Sequence, residues 1–373
     1  FKQKTAYEIP LRLVGSEMCI RDRTNVVPAV STSIGAIAGV FEKGPVGEIT
    51  AVSSEEELVR IFGKPNGSNF ETFFSASNFL QYGNALRVVR ADSGLKNATS
   101  GGGTGLLIKS NTHYQNNFAD GSQSVGEWGA RTAGTIGNSL GVSMCTSAAA
   151  YEQTLDGTGA GEVNGTPAAG ATTVTVSAAG GSANNHYNEG DIVHFGEADG
   201  QQYEVTAISG ADLTIRQLDN PNGGGLKSAL TSGQAVRRRW KYYDLFDSAP
   251  GTSPYATGKG VTNDEMHIVV FDNTGDITGF RTGTAGERTS AVIETYAFLS
   301  QHPNAKTPQG GTNYYPDVIF KQSQFVYWLD HLDSVLTHAG TVRTAGQAYD
   351  CLLYTSDAAD DSLRVDLGGR RII

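Results

Sequence analysis

The hydrophobic pattern is clearest between Phe70 and Ala91, FETFFSASNFLQYGNALRVVRA. Phe70, Phe73, Phe74, Ser77 and Leu80 fall on one stripe at helical spacing, and Gly83 sits where a left-handed cap would end the helix. Phe79 lies on the opposite side. The spacing therefore predicts a helix covered from two directions, with Phe79 serving a second surface and more exposed than Phe73 or Phe74. After Gly83 and Asn84, Leu86, Val88 and Val89 make a short strand apolar on both faces, with Arg87 and Arg90 on opposite sides, the mark of a central strand. Upstream, Ile34 to Phe41 is a small-residue apolar strand turned by Glu42 to Pro45. Ser54-Glu-Glu-Glu57 reads as a capping box for a helix that presents Leu58, Ile61 and Phe62 on one face and stops at Gly63 and Pro65. Strand, helix, helix and strand form one compact α/β unit.

Further along, the pattern changes character twice. Residues Ser93 to Ser124 are rich in Gly, Ser, Asn and Thr and read as a long exposed connection with one strand, Leu106 to Ile108. From about Ala150, short alternating stretches separated by glycine turns predict strands at 172–177, 191–195, 203–208, 212–216 and 235–240. Together they read as a small β-barrel or sandwich inserted into a host domain. After the Pro250 to Asn263 loop, His267 to Phe271 is a strand, Asp272 to Gly275 a turn, and Thr284-Ala-Gly-Glu287 a second capping box. The helix it opens carries Val292, Tyr296 and Leu299 as its stripe and ends at His302-Pro303. Val318 to Phe320 and Phe325 to Trp328 are two further strands.

Composition supports this β-rich reading. Of 373 residues only 39% are hydrophobic and 47 are glycine, so cores are modest and loops many. The formal charge of −10 argues against a general binder of nucleic acid or anionic membrane, and the lack of a long apolar run argues against membrane insertion.

Both ends differ from the rest. Residues 1–23, FKQKTAYEIPLRLVGSEMCIRDR, and 351–373, CLLYTSDAADDSLRVDLGGRRII, each resemble a translated sequencing-library adapter, with Pro10-Leu11 and Ser362-Leu363 where a barcode would sit. Set aside, these segments remove net charges of +2 and −1 and leave −11. They also remove Cys19 and Cys351, so Cys145 is the one remaining cysteine and no disulfide is expected. On this reading Thr24 to Asp350 is an internal piece of a longer protein.

Candidate chemistry is sparse. None of the seven histidines sits in HExxH or near paired cysteines at zinc spacing; His331 and His338 could share a helical face, but solvated or capping histidines are the simpler expectation. Cys145, at a strand end beside Met144, reads as a buried structural thiol. Gly157 to Gly161 and Gly258-Lys259-Gly260 lack the spacing of a phosphate loop. Arg237-Arg-Arg-Trp240-Lys-Tyr-Tyr243 could bind nucleic acid by charge and stacking, but alternation that closes the inserted domain and pairs with nearby acids fits a net-acidic chain better. No catalytic, cofactor-binding or metal residue is assigned.

The order TSIGAIAGVFEKGPVGE, SEEELVRIFGKP, ETFFSASNFLQYGNALRVVRA resembles the N-terminal part of contractile tail sheath proteins of myovirus-type bacteriophages. FLQYGNALRVVRA is the most specific piece, and Trp128 to Cys145 and Glu265 to Trp328 follow more loosely. The resemblance implies an α/β (α+β) multidomain chain of mixed-sheet host domains: 24–92 as the N-terminal domain, 93–149 with 246–350 as a second, truncated host domain, and 150–245 as the inserted β domain. It implies a structural, non-enzymatic subunit without cofactors. Such subunits form six-membered rings stacked helically on a tail tube, with baseplate and tail terminator proteins as further partners, in a virion tail assembled in the host cytoplasm. Contraction would then be a two-state rearrangement of packed rigid bodies, with terminal arms adding strands to a neighbour's sheet. Lacking both arms, this polypeptide alone is expected not to polymerise. The alternatives are the sheath of a related contractile injection system, or a phage surface module whose β insert binds a glycan.

Overall fold

The computed structural model describes residues 34–353 apart from 92–93, 102–104, 158, 179–180, 221, 282–287, 332–336, 339–340 and 343–348. The adapter-like stretch 1–23, residues 354–373 and the Thr284 to Glu287 box lie outside the described residues. Two units are distinguished, one of 34–42 with 49–91 and one of 43–48 with the residues beyond 91. The architecture is mixed, with several sheets and few helices.

In the first unit, β1 (Ile34–Gly39) is followed by β2 (Thr50–Val52), α1 (Glu55–Phe62), α2 (Phe70–Leu80) and β3 (Ala85–Arg90). The sheet order is β1-β3-β2, with β3 central as its two-faced pattern predicts. β1 runs parallel to β3, which demands a crossover, and the two helices supply it. Ser54 caps α1 by accepting the Glu57 N–H at 3.2 Å, and the Glu57 carboxylate accepts the backbone N–H of Ser53 at 2.9 Å, one residue earlier than the usual box. The small residues of β1 let α2 lie close: a Cβ at Gly35 would stand 2.7 Å from the Phe79 ring, and one at Gly39 2.7 Å from Thr72. Arg90 is fully buried and donates to the carbonyls of Phe41 at 2.9 Å and Glu42 at 3.1 Å.

Two expectations for α2 are corrected. Phe79 is partly buried and so more exposed than Phe73 at 2%, as expected, but it packs over the hollow left by Gly35 and Gly83, whereas Phe70 and Phe74 are 48% and 51% exposed, so the outward-facing aromatics are these two. The buried residues of the helix are Phe73, Ala76 and Ser77. Gly83 does not adopt a left-handed conformation; the helix closes at Gln81, and Gly83 is needed because a Cβ there would lie 3.0 Å from the Phe79 ring.

The second unit begins with β4 (Asn97–Thr99), α3 (Asn111–Asn117), β5 (Trp128–Ala133) and β6 (Leu140–Cys145). The segment read as an exposed connection is instead partly core: Leu95, Asn97, Ile108 and Tyr114 are buried, and Leu106 makes only an isolated bridge to Asn97. Leu95, Ile108 and Tyr114 pack in small apolar clusters, and the buried Asn97 is satisfied, its side chain donating to Ala130 O at 2.8 Å and accepting from Ile108 N at 2.7 Å.

Residues 150–245 contribute β7 (Glu152–Leu155), β8 (Ala160–Val163), β9 (Thr173–Ala178), β10 (Ile192–His194), β11 (Tyr203–Ser209), β12 (Asp212–Gln217) and β13 (Val236–Arg239). They form one antiparallel sheet in the order β7-β13-β10-β11-β12-β9-β8. All five predicted strands are present. One face holds an apolar core that includes Val193, Tyr203, Val205, Leu213 and Ile215.

The host then resumes with β14 (Glu265–Asp272), β15 (Val292–Ser300), α4 (Tyr315–Gln322), β16 (Val326–Trp328), the short pair β17 (Thr337–His338) and β18 (Thr341–Val342), and β19 (Tyr349–Leu352). One sheet runs β15-β14-β6-β19 and another β16-β5-β4. Their core joins Trp128, Met144, Ile268, Val270, Ile319 and Trp328. Cys351 and Leu353, inside the adapter-like stretch, are buried against it.

Two element types are corrected here. Val292 to Leu299 is a strand paired along β14, not a helix. Val318 to Phe320 lies in α4, whose first turn carries Pro316, a residue that tolerates only that end of a helix.

Candidate functional site

The basic, aromatic stretch Arg237 to Tyr243 covers most of β13 and the residues that follow it. Strand alternation sends Arg238 inward, where its guanidinium donates to the carbonyls of His186 at 2.6 Å and Ala149 at 2.7 Å. Trp240 donates its indole N–H to Ser143 Oγ on β6 at 2.8 Å and stacks on Phe246 at 5.5 Å. Lys241 is paired with Asp350 at 2.9 Å. Arg237 and Arg239 turn outward and share one carboxylate, Glu152, on β7; the Arg239 contact is 3.0 Å. The stretch is thus mainly engaged in structural contacts and pairs with nearby acids, Glu152 and Asp350. Beneath it Asp191 is buried, and burial pushes its carboxyl up to about 6 against the pull of Arg238 and the Asn188 N–H.

The other sequence candidates are dispersed. Burial pushes the Cys145 thiol up to about 12, so it stays protonated and unreactive, with Sγ 3.5 Å from Ser147 O. His331 engages the hydroxyls of Tyr315 at 2.7 Å and Tyr314 at 3.2 Å. His338 falls in β17 rather than on a helix, so the two histidines share no helical face. Gly157 to Gly161 leads into β8, and Gly258 follows a single helical turn at Pro254–Thr257. Among the described residues no three His, Cys, Asp or Glu side chains cluster to hold a metal ion, and no helix is long and apolar enough to cross a membrane.

Three buried polar side chains of the host were not singled out by sequence reasoning. His267 stacks on Phe246 at 4.2 Å; its Nδ1 accepts the Phe298 N–H at 3.0 Å, so its Nε2 donates to Ser248 O at 2.9 Å. Burial lowers its pKa, which keeps the ring neutral in that role. Asp264 accepts from Ser253 N, Ser253 Oγ and Ser300 Oγ. Asp272 accepts from Ser139 Oγ and from the N–H groups of Gly275, Ile277 and Thr278. The Asp272-Asn-Thr-Gly275 turn signal was the available hint, since Asx side chains bond the backbone that follows them. These carboxylates are satisfied pins, not reactive groups.

Residues 32–91, which hold the crossover unit, match the family model described as "Tail sheath protein Gp18 domain III N-terminal region". The particular proteins the chain is similar to are the tail sheath proteins of Enterobacteria phage T4, 52% identical over 61 residues, Vibrio phage KVP40, 47% over 66, and Salmonella phage ViI, 26% over 295. These alignments take in 16%, 18% and 79% of this chain. They cover 9%, 10% and 45% of the relatives, so the chain spans less than half the length of the curated relatives it matches. The resemblance seen in Thr24 to Asp92 is borne out for that N-terminal part.

Proposed function

We propose that this chain is part of the structural subunit of a contractile phage tail sheath, assembling with copies of itself as six-membered rings stacked around a tail tube. The observation that carries this reading is the 32–91 match, which includes every element of the first unit from β1 to β3. Baseplate and terminator proteins would cap the stack in a virion tail built in the host cytoplasm. Such a subunit needs no catalytic residue, because its work is a change of packing between two lattices.

Within this reading the insert 150–245 is a closed small barrel carried by host segments 93–149 and 246–350. Closure is supported by two backbone hydrogen bonds, Val163 N to Gln234 O at 2.9 Å and Gly233 N to Val163 O at 2.8 Å, which return β8 toward β13. Residues 1–23 and 351–373 are adapter-derived; resequencing the source DNA across both junctions tests this, and coding sequence running through either junction would refute it.

The function is tested by transplantation. Residues 32–91 replace the matched segment of the T4 tail sheath protein, and the chimera is asked to complement a sheath-deficient phage. Contractile tails of normal length are expected. A folded chimera that builds bare tubes would overturn the reading.

A further inference from the structure

The outer face of the inserted sheet carries a cleft that the sheath reading does not use. Its register places Ile192 beside Arg239 and His194 beside Arg237 on adjacent strands. Together with Gly200 and Gln202 before β11, these residues line a cleft of about 230 Å³. Ile192, 1% exposed, gives the cleft an apolar floor. Arg239 lies over the Tyr243 ring at 4.9 Å, and the Tyr243 hydroxyl donates to Gln202 Oε1 at 3.3 Å, which ties the two walls together.

Charge is left unbalanced at this spot. Arg237 and Arg239 both turn to Glu152, so two guanidinium groups share one carboxylate and a net positive charge remains. Elsewhere on the same face Arg216 pairs with Glu204 at 2.7 Å. In addition, His194 Nε2 is shielded from solvent and has no hydrogen-bond partner among the described residues. An imidazole nitrogen in that position costs free energy unless something bonds to it.

We propose that this cleft binds the carboxylate-bearing sugar of an acidic polysaccharide. Guanidinium pairs hold a carboxylate through parallel N–H donors, and a single net positive charge calls for a monoanion. At about 230 Å³ the cleft is smaller than the ~300–1,000 Å³ of a drug-sized pocket, a size suited to a single six-membered sugar ring. Ile192 meets the C–H face of the ring, and His194 and Gln202 lie where hydroxyl groups project. The cleft lies outside residues 32–91, whose match carries the sheath reading, and a glucuronate titration does not depend on that reading.

The test is calorimetric and ligand-observed NMR titration of the whole 373-residue chain with glucuronate, propionate, glucose and inorganic phosphate. Glucuronate is expected to bind with a dissociation constant on the order of 1 mM, at least tenfold tighter than propionate or glucose. Arg239→Gln should weaken it at least tenfold. Glu152→Gln, which frees both guanidinium groups, should tighten it about threefold. Melting curves establish that both variants fold. Opposite shifts in the two variants are the signature of a competed anion site. Absence of saturable glucuronate binding, equal binding of propionate or phosphate, or a Glu152→Gln change that weakens binding would each overturn the proposal.

Discussion

The host sheet around β14 and the inserted sheet around β10 are both antiparallel and both bury aspartates, yet they treat them oppositely. In the host, burial alone would raise Asp272, but the Ser139 hydroxyl and the N–H groups of Thr278, Ile277 and Gly275 outweigh it and hold the carboxyl below its ordinary range. Asp191 of the insert receives the Asn188 N–H and the field of Arg238, and burial wins, raising it to about 6. The difference lies in the number of donors aimed at each carboxylate and in depth, Asp191 being the more deeply enclosed of the two. A tight turn delivers several N–H groups to one point, whereas a strand end delivers few.

That contrast can be broken at several points. Asp272→Ala should have the largest effect, destabilising the host by roughly 3 kcal/mol or more, because it strands several buried donors at once; denaturant unfolding measures it. Asp191→Asn should act in the opposite sense and stabilise by up to about 3 kcal/mol at pH 7, since the amide mimics the neutral form that the site prefers. A destabilised Asp191→Asn protein would show that Arg238 depends on the charge.

Titration sharpens the same comparison without mutation. A raised folded-state pKa contributes stability that is present below the unfolded value and lost as pH rises through the folded one. Hydrogen exchange around Asp191 should therefore slow as pH falls from 7 toward 4, after correction for intrinsic rates, and Asp191→Asn should abolish that response. For Asp272 the stabilisation is present above the ordinary carboxylate pKa and is lost only as pH falls through its lowered value, so exchange around residues 272–278 should stay flat over that window. The smallest effect is expected from Phe74→Ser on α2. With the ring half exposed, it should cost within about 0.5 kcal/mol in the isolated chain, against about 3–5 kcal/mol for Phe73→Ala in the core.

The sequence pattern conveyed the first unit and the insert well, because each follows a single period: helical in α1 and α2, alternating with glycine turns in β9 to β13. It misled at β15 for a specific reason. There the pairing slips between Met266 and Ile268, so their partners Leu299 and Tyr296 stand three apart, and Phe298 takes a φ of 52° at the bulge. Inward residues three apart imitate a helix. The Val318 to Phe320 stretch was too short to carry a period, and Pro316 was the better signal. Strands β7 and β8, Glu152–Leu155 and Ala160–Val163, lack the β-branched runs that mark a strand. The outer cleft was illegible because it depends on register: His194 meets Arg237, 43 positions along the chain, only through the β10–β13 ladder.

The insert leaves its host and returns to it on neighbouring strands, with Glu152 the direct ladder partner of Arg239. Chain ends that already lie side by side can be rejoined by a hairpin turn, or opened to receive another domain, without moving β6 or β14. What lies between them can therefore be removed or replaced as one cassette while the pairing of β6 with β14 is kept.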